Sequence, residues 1–318
     1  MKTLRLIALA FACALPTVQA AGYPEKPIRI IVPFTPGGST DILARMIGQK
    51  LSEAWGQQVI ADNRPGANGV VAADIAAKAN PDGHTLMFVA IGHAINPLLQ
   101  KNLPYDADKD FAAVSLTAIL PQMLALNPKN SATNLRELLA LAKGAKPVNY
   151  ATGGVGSSQH LATELMAYMA KVKLNHIPYK GGNQGLLDVI AGHVDFTNTT
   201  ALTVVPHMQA KRVRAIAVST AKRLDVAPDV PTMAEAGIPG YESVAWYGMV
   251  APAGIPPKVM EKLAAETIKA TNSVEMKTAL IKQGAIPVGN TPKEFTAFIK
   301  NERAKYAKVI KEAGIKAE

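Results

Sequence analysis

The sequence predicts an α/β fold made of two doubly wound lobes that are joined by two crossing strands. Two observations support this prediction. Apolar runs rich in β-branched residues alternate along the chain with segments whose apolar residues recur at helical spacing. The alternation breaks at Pro121 and resumes as a second series, and a late apolar run over Val244–Val250 suits a return crossing. A cleft between the lobes follows from this arrangement.

The first series begins with Ile28–Phe34, a continuous apolar run that is typical of a strand buried on both faces. A helical pattern starts at Ser39 and stops at Gly56, a residue that often ends helices. Short connections then link the next elements. They are a strand at Gln58–Ala61, a helix at Val70–Ala79 and a strand at Thr85–Ala90.

Two strand-like runs between Val114 and Leu126, interrupted by Pro121, indicate a chain that leaves one sheet for another. The second series has helices at Leu135–Lys143, Ser158–Lys171 and Gly185–Ala191, and strands at Val148–Thr152, His176–Lys180 and Val213–Ser219. The C-terminal part is helical, with segments at Pro257–Ala270, Ser273–Gln283 and a long helix after Thr291. Thr291 with Pro292 and Glu294 forms a helix-start signal. The expected lobes are residues 21–120 with 246–318, and residues 121–245.

Residues 1–20 have the features of a secretory signal peptide. Lys2 and Arg5 precede the apolar segment Leu6–Leu15, and small residues lead to an expected cleavage site near Ala20. The segment is shorter than the roughly 20 residues that a membrane-spanning helix needs. Cys13 is the only cysteine of the chain and lies in this segment. The exported protein would therefore contain no thiol.

Composition excludes several classes of function. A mature chain without cysteine has no disulfide, thiolate nucleophile or cysteine zinc site. The six histidines lack the spacing of metal-binding motifs, so neither a metal nor another cofactor is expected. The formal charge is +10, but aromatic residues make up 5% and no run of five basic residues occurs, so no nucleic-acid partner is expected. A positive field would attract small anions.

The stretch FTPGGSTD, Phe34–Asp41, follows the first strand, at the sheet edge where open α/β folds place ligands. Gly37 and Gly38 permit close backbone approach, and free N–H groups of the following helix could hold an anion. The same residues could simply form a well-capped helix start, with Asp41 near the positive end of the helix. These alternatives are balanced. The lysine of a phosphate-binding loop is missing.

A second Gly/Ser/Thr loop, YATGGVGSS over Tyr150–Ser158, follows a strand of the second series. Its Gly154-x-Gly156 spacing resembles a dinucleotide fingerprint, but Gln159 stands where the third glycine is expected. The two loops could meet across the cleft and hold a carboxylate through amides, hydroxyls and water, with roughly micromolar affinity. An exported hydrolase using His160 and the serines of this loop is the alternative, although the GxSxG motif is absent.

Several short motifs occur in order along nearly the whole mature chain. They are Phe34–Asp41, Asn63–Gly69 (NRPGANG), Pro81–Gly83, His93–Pro97 (HAINP), Pro178–Gly181 (PYKG), Val230–Thr232, Glu235–Gly237, Trp246–Gly248 (WYG) and Ala251–Gly254. With them the chain closely resembles the Bug family, the TctC-like periplasmic solute-binding receptors of tripartite tricarboxylate transport systems.

The resemblance implies a two-lobed periplasmic binding-protein fold, type II-like, that closes on a small carboxylate. It also implies no catalysis, a periplasmic location, transfer of the ligand to the membrane subunits of a tripartite tricarboxylate transporter, and a monomer. The expected ligand-binding residues are Phe34, Gly37, Gly38, Ser39, Thr40, Asp41, Gly92, His93, Thr152, Gly154, Gly156, Ser157, Tyr179, Asp195 and Asn198.

One segment departs from the family pattern. Phe196–Thr200 reads FTNTT where many relatives read like MFDN, so Asn198 or Thr199 replaces an acidic residue. The neutral groups could accommodate a second carboxylate or hydrogen-bond an amide or hydroxyl, and simple drift explains them equally well. The identity of the carboxylate therefore stays open. An orphan sensor that presents its ligand to a receptor kinase is a further alternative to transport.

Overall fold

The computed structural model describes residues 22–313. The first lobe opens with three parallel strands in the order β2-β1-β3, namely β1 (Ile28–Val32), β2 (Val59–Asn63) and β3 (Thr85–Ala90). Helices α1 (Ser39–Trp55), α2 (Val70–Ala77) and α3 (Gly92–Leu99) follow these strands, and a short 3-10 turn over Ala67–Gly69 precedes α2. The predicted strands and the first two helices are confirmed close to their expected bounds. Helix α3 was not predicted.

The alternation of side chains on β1 explains its continuous apolar sequence. Ile28, Ile30 and Val32 pack on one face with Leu43, Ile47 and Leu51 of α1. Ile31 points to the other face and packs with the alanines of α2. Helices pack against both faces of β1 and hold the strand in place. The position of the loop that follows β1 is therefore set by this packing.

Strand β4 (Phe111–Leu126) and strand β9 (Val244–Pro252) connect the two halves of the sheet. β4 pairs with β9 from Phe111 to Pro121, and it pairs with second-lobe strands from Gln122 to Leu126. The prediction of two runs separated by Pro121 was wrong in one respect, since a single 16-residue strand passes through the proline. Pro121 is where β4 changes partners, so the change of sheet was predicted correctly.

The second lobe contains β5 (Asn149–Thr152), β6 (Asn175–Pro178), β7 (Phe196–Thr200) and β8 (Arg214–Val218). Parallel strands β7, β5 and β6 lie in that order next to β4, and β8 also pairs with β4. The helices are α4 (Leu135–Ala142), α5 (Ser158–Ala170), α6 (Gly182–Ala191) and α7 (Ala201–Gln209). Strand β7 and helix α7 were not predicted. The polar sequence FTNTT of β7 shows no apolar pattern, although every one of its residues is at most 2% exposed.

The C-terminal elements return to the first lobe. They are α8 (Pro257–Asn272), α9 (Val274–Ile281), β10 (Ile286–Pro287), which pairs with β4, and α10 (Pro292–Ala313). The predicted start of α10 is confirmed, since the Glu294 N–H donates to Thr291 Oγ1 and the Thr291 N–H donates to Glu294 Oε2. Phe295 and Tyr306 of α10 pack in the same core as Trp246 of β9. No helix within residues 22–313 has the length and apolarity needed to cross a membrane.

The expected lobe boundaries stay a prediction. The partner change at Pro121–Gln122 and the start of β9 at Val244 lie beside the proposed limits, residues 120/121 and 245/246. The predicted signal peptide, residues 1–20, lies outside the described part of the chain.

Candidate ligand-binding site

The loop after β1 and the loop after β5 face each other between the lobes. Together with nearby segments they enclose a cavity of about 30 Å³, which we call the inner chamber. It is lined by Phe34, Gly38, Ser39, Thr40, Asn68, Ala90, Ile91, Gly92, Gly153, Ser157, Ser158, Gln159, Gly182, Asn183, Thr199, Thr203 and Tyr247. Such a volume holds roughly two waters or one small polar group.

Two helix N-termini reach this chamber. Ser39 and Thr40 belong to the first turn of α1, and Ser158 and Gln159 to the first turn of α5. First-turn N–H groups have no acceptor within their own helix, and the helix dipole makes this end positive. None of the described residues that line the chamber is charged. The chamber therefore offers neutral donors to an anion.

Hydroxyl groups from both lobes complete the polar wall. Ser39 Oγ lies 2.5 Å from Thr200 Oγ1, which joins α1 of the first lobe to the end of β7 in the second. The phenol of Tyr247 lies beside Ser39 and Ser158, and burial raises its pKa above the ordinary value. The phenol is therefore protonated near neutral pH and is able to donate a hydrogen bond.

Gln159 holds the second loop in place. Its Oε1 accepts from the Gly153 N–H at 2.5 Å, and its Nε2 donates to Thr199 Oγ1 at 2.7 Å. The side chain that breaks the dinucleotide spacing thus connects the loop to β7. Gln159 stands at the position of the third glycine of a dinucleotide motif, and its side chain occupies space that a glycine there would leave empty.

Asp41 stabilises the first loop without lining the inner chamber. Its carboxylate accepts from the Gly37 N–H at 3.0 Å and from Asn63 Nδ2 at 2.9 Å, and it forms an ion pair with Arg45. Burial by itself would raise the pKa of Asp41, but the hydrogen bonds from Arg45, Gly37 and Asn63 lower it overall. Asp41 does not line the inner chamber, so its charge stabilises the loop and does not face the ligand space.

Two histidines support the second loop. The Gly156 N–H donates to His160 Nδ1 at 3.2 Å, and Thr152 Oγ1 lies 2.6 Å from His176 Nε2. The two imidazoles stack with centroids 4.4 Å apart. Burial lowers the pKa of His160 to about 3 and that of His176 to about 4, so both rings are neutral near pH 7.

The hydrolase alternative has no catalytic pair at this loop. Ser157 is the N-cap of α5, and its Oγ accepts from the backbone N–H of His160, not from the imidazole. The imidazole Nδ1 is already engaged by the loop amide. A base with a pKa near 3 is also too weak to activate a serine at neutral pH.

Glycines permit the close approach of the lobes. Gly37 has a φ of 81°, and a Cβ there would lie 2.8 Å from Asn183 Nδ2. Gly156 has a φ of 75°, and a Cβ there would lie 2.7 Å from Leu99 Cδ1. Both positions combine a left-handed backbone with a contact across the lobes, which only glycine accommodates without strain.

A larger space of about 550 Å³ adjoins the inner chamber, and we call it the outer chamber. Phe34, Asn68 and Gly153 line both spaces. The other lining residues are Gly66, Ala67, Leu99, Gln100, Gly154, Val155, Pro178, Tyr179, Lys180 and Gln184. A molecule could therefore have one end in the inner chamber and the remainder in the outer one.

The structure brings many of the expected residues together. Phe34, Gly38, Ser39, Thr40, Gly92 and Ser157 line the inner chamber, and Phe34, Gly154 and Tyr179 line the outer one. Gly37, Asp41, Thr152 and Gly156 belong to the two loops but support them from outside the chambers.

Three expected residues lie away from both chambers. Asp195 precedes β7 and accepts from the Asn149 N–H at 2.8 Å, at the strand end opposite the two loops. Asn198 is fully buried within β7 and donates to the Tyr241 hydroxyl at 3.3 Å, because it lies on the sheet face opposite Thr199. His93 packs edge-on against Phe111, with ring centroids 5.0 Å apart.

Other lining residues were not expected. Asn68 and Tyr247 belong to motifs that the sequence analysis quoted, NRPGANG and WYG, but nothing local assigned them to a site. Gln159 and Thr199 were noted only as departures from known patterns. Asn183 has no sequence signal, because its position depends on contact between α6 and the first loop.

Taken together, the fold and the cleft define a two-lobed binding protein of the periplasmic type. Residues 43–315 match the model of the "TctC: Tripartite tricarboxylate transporter family receptor" family. The chain belongs to this family of solute-binding receptors, whose members are binding proteins and not enzymes. Within residues 22–313, no group of three or more His, Cys, Asp or Glu side chains is placed to hold a metal ion.

Individual relatives agree with this assignment. The chain is 37% identical to protein BugT of Bordetella pertussis, over 99% of each chain. Rpa4515 of R. palustris, solved with adipate, is 35% identical with a TM-score of 0.90, covering 93% of this chain and 100% of that one. MatC of Rhodopseudomonas palustris, solved with bound malate, is 31% identical with a TM-score of 0.86, covering 91% and 100%.

Proposed function

We propose that this protein captures a small organic carboxylate in the periplasm and delivers it to a tripartite tricarboxylate transporter. One observation carries the proposal. Two helix N-termini and several hydroxyls, drawn from both lobes, enclose an inner chamber of about 30 Å³ whose described lining has no charged side chain.

The donors of the chamber suit a carboxylate. A carboxylate accepts up to about four hydrogen bonds, and amides, serine and threonine hydroxyls and the Tyr247 phenol can supply them. Each charge-assisted bond contributes about 1.5–3 kcal/mol. Part of this free energy is offset by the cost of ordering the ligand and the lobes, so we expect roughly micromolar affinity. The adipate and malate seen in the two related structures support the ligand class.

The ligand-contact residues that we propose are those of the two loops that line the chambers. In the inner chamber these are Phe34, Gly38, Ser39, Thr40 and Ser157, with Gly92 beside them. Gln159, Thr199 and Tyr247 join this set on the basis of their position.

Binding requires the lobes to open and close. The Thr35 N–H donates to the Lys180 carbonyl at 3.4 Å, and Asn183 Nδ2 donates to the Pro36 carbonyl at 3.4 Å. These two hydrogen bonds join the first loop to the second lobe, so we expect them to break when the lobes separate to admit a ligand. Small-angle scattering tests this motion: a saturating ligand should reduce the radius of gyration, and identical profiles with and without it would contradict closure.

Export and partners complete the proposal. The chain enters the periplasm through the signal peptide, with cleavage near Ala20, and acts as a monomer without cofactor or nucleic acid. Its partners are the membrane subunits of the transporter, as the family description suggests. Mass spectrometry of the secreted protein tests the cleavage site. Sedimentation analysis tests the monomer, and a dimer at micromolar concentration would contradict it.

Calorimetry on ligand-free protein tests the central proposal. The panel should contain mono-, di- and tricarboxylates, acidic amino acids and aromatic acids, and at least one should bind at about micromolar Kd. Thr200→Val should weaken that binding because it removes the hydroxyl facing Ser39, whereas the exposed Ser131→Ala should leave it unchanged. Failure of every carboxylate to bind the folded protein would overturn the proposed function.

A further inference from the structure

The C-terminal helix α10 has two faces of different chemistry. Its inner face carries Phe295, Ile299 and Tyr306, which are buried in the core of the first lobe. Successive residues of a helix are rotated by about 100°, so the residues of the opposite face can be read from the sequence. They are all exposed, and we call them the lysine face: Lys293, Ala297, Lys300, Ala304, Ala307, Lys308 and Lys311.

The four lysines of this face form a stripe along the helix. At about 100° per residue, Lys293, Lys300 and Lys311 lie within about 20° of one line parallel to the helix axis, and Lys308 lies about 60° from it. At 1.5 Å per residue, the stripe extends over about 27 Å. Alanines occupy the other positions of the face, and no position of it is acidic.

Neighbouring carboxylates are engaged with other groups. Glu294 Oε2 accepts from the Thr291 N–H at 2.8 Å and from the Thr291 hydroxyl at 2.7 Å. Asp108, which borders Lys300 in a surface pocket, lies 2.5 Å from Arg303 Nη1. Among the side chains of residues 22–311, no ion pair includes a lysine of the lysine face.

Lysines on two other helices of the first lobe have acidic partners on the same helix. Lys50 Nζ of α1 lies 2.9 Å from Glu53, and Lys269 Nζ of α8 lies 3.1 Å from Glu266. Such pairs three residues apart offset each other's charge, whereas like charges at this spacing repel. The lysine face therefore presents a concentration of positive charge that the other two helices do not.

The composition of the lysine face fits an anionic lipid surface better than a protein partner. Protein interfaces are depleted in lysine, and their central contacts are made by arginine and aromatic residues, which this face lacks. A lysine ammonium is a point charge on a flexible stem and imposes no fixed geometry. Phosphates spread over a lipid surface need none, and each lysine near such a surface strengthens binding roughly fivefold.

We propose that the lysine face binds this protein reversibly to membrane surfaces rich in anionic phospholipid. The ammonium groups lie among the lipid phosphates, and no side chain of the face enters the hydrocarbon because its only apolar residues are alanines. This association needs no carboxylate in the cleft. It would also keep the receptor close to the transporter that we propose it serves.

Vesicle sedimentation with protein purified from the periplasm tests this inference. Vesicles of phosphatidylglycerol and phosphatidylcholine are compared with vesicles of phosphatidylcholine alone, at low and high salt. One variant carries glutamine at all four lysines of the lysine face, and a second carries arginine there. Glutamine preserves helix propensity and the positions are exposed, so both variants should melt at the wild-type temperature. The charge-matched control replaces four exposed lysines outside α10 by glutamine, namely Lys101, Lys146, Lys173 and Lys222.

The wild type should bind the anionic vesicles and not the neutral ones, and its binding should weaken as salt rises. The glutamine variant should bind at least tenfold more weakly, since four lysines are lost. The arginine variant should bind like the wild type, and the control should keep most of its affinity. Absence of wild-type binding to anionic vesicles, or an equal loss in the control, would overturn the inference. Binding that requires membrane protein in the vesicles would overturn it as well, because the partner would then be an acidic protein. None of these results bears on carboxylate binding, which calorimetry tests separately.

Discussion

Replacing Gly37 by alanine should have two separable effects. The backbone at Gly37 has a φ of 81°, where a Cβ costs about 1–2 kcal/mol. This strain is present whether the lobes are open or in contact, so the free energy of unfolding should fall by about that amount. In addition, the Cβ would lie 2.8 Å from Asn183 Nδ2, across the boundary between the lobes. That collision occurs only when the lobes meet.

The second effect should appear in ligand affinity. Asn183 is partly exposed and can move away, but it then loses its 3.4 Å hydrogen bond to the Pro36 carbonyl. A long, exposed hydrogen bond of this kind contributes about 0.5–1 kcal/mol, so the Kd should rise roughly two- to fivefold. Denaturant unfolding measures the first effect, and calorimetry with a carboxylate that the wild type binds measures the second.

A double-mutant cycle separates the two effects. In an Asn183→Ala background, Gly37→Ala should still lower stability but should no longer lower affinity, because the colliding group is gone. Gly38→Ala is the control for stability, since Gly38 has a φ of −84° and a Cβ there would have no neighbour closer than 3.8 Å. An unchanged stability of Gly37→Ala, or an affinity loss that persists without the Asn183 amide, would refute the reasoning.

Three further predictions concern stability and binding. Burial lowers the pKa of His93 and His176 to about 4 and that of His160 to about 3, so below about pH 6.5 the unfolded chain binds protons that the folded chain does not. Stability should be complete above about pH 7 and fall by roughly 1 kcal/mol per pH unit for each histidine as the pH drops towards 4. Urea midpoints measured across this range test the prediction, and a pH-independent midpoint would contradict it. Thr291→Ala should cost about 1 kcal/mol by removing the cap of α10, seen as a lower Tm at unchanged ligand affinity. Ser157→Val should lower ligand affinity because the Ser157 hydroxyl lines the inner chamber, and it should lower stability by about 1 kcal/mol because the same hydroxyl caps α5. An unchanged ligand affinity would mean that the second loop has a structural role only.

Local patterns in the sequence predicted much of this molecule. The strand–loop–helix junctions at Phe34–Asp41 and Tyr150–Ser158 were recognisable because glycine, serine and threonine have preferences that act over a few residues. The change of sheet at Pro121 was predicted for the same kind of reason. Strand β7 was missed because its residues are polar, and their burial depends on neighbours in β4 and β5 that are distant in sequence.

The candidate site also combines residues that local patterns predicted with residues that only distant contacts bring together. Ser39 and Ser157 were expected from their loops, but their companions Asn68, Gln159 and Tyr247 come from three different elements. Asp195 and Asn198 were expected at the cleft, and the direction and pleat of β7 place them elsewhere. A family motif in this case located the correct strand without specifying which of its side chains faces the cavity.

By itself, the sequence determined the α/β class, the two anion-suited loops and, through its ordered motifs, the family. These properties follow from backbone preferences and hydrophobic periodicity, which act locally. Only the tertiary structure decided that the two loops share one chamber, that Asp41 supports a loop instead of facing a ligand, and that Asn68 lines both chambers. The physical reason is that such arrangements depend on distances between residues far apart in the chain, which packing of the lobes sets and no local pattern encodes.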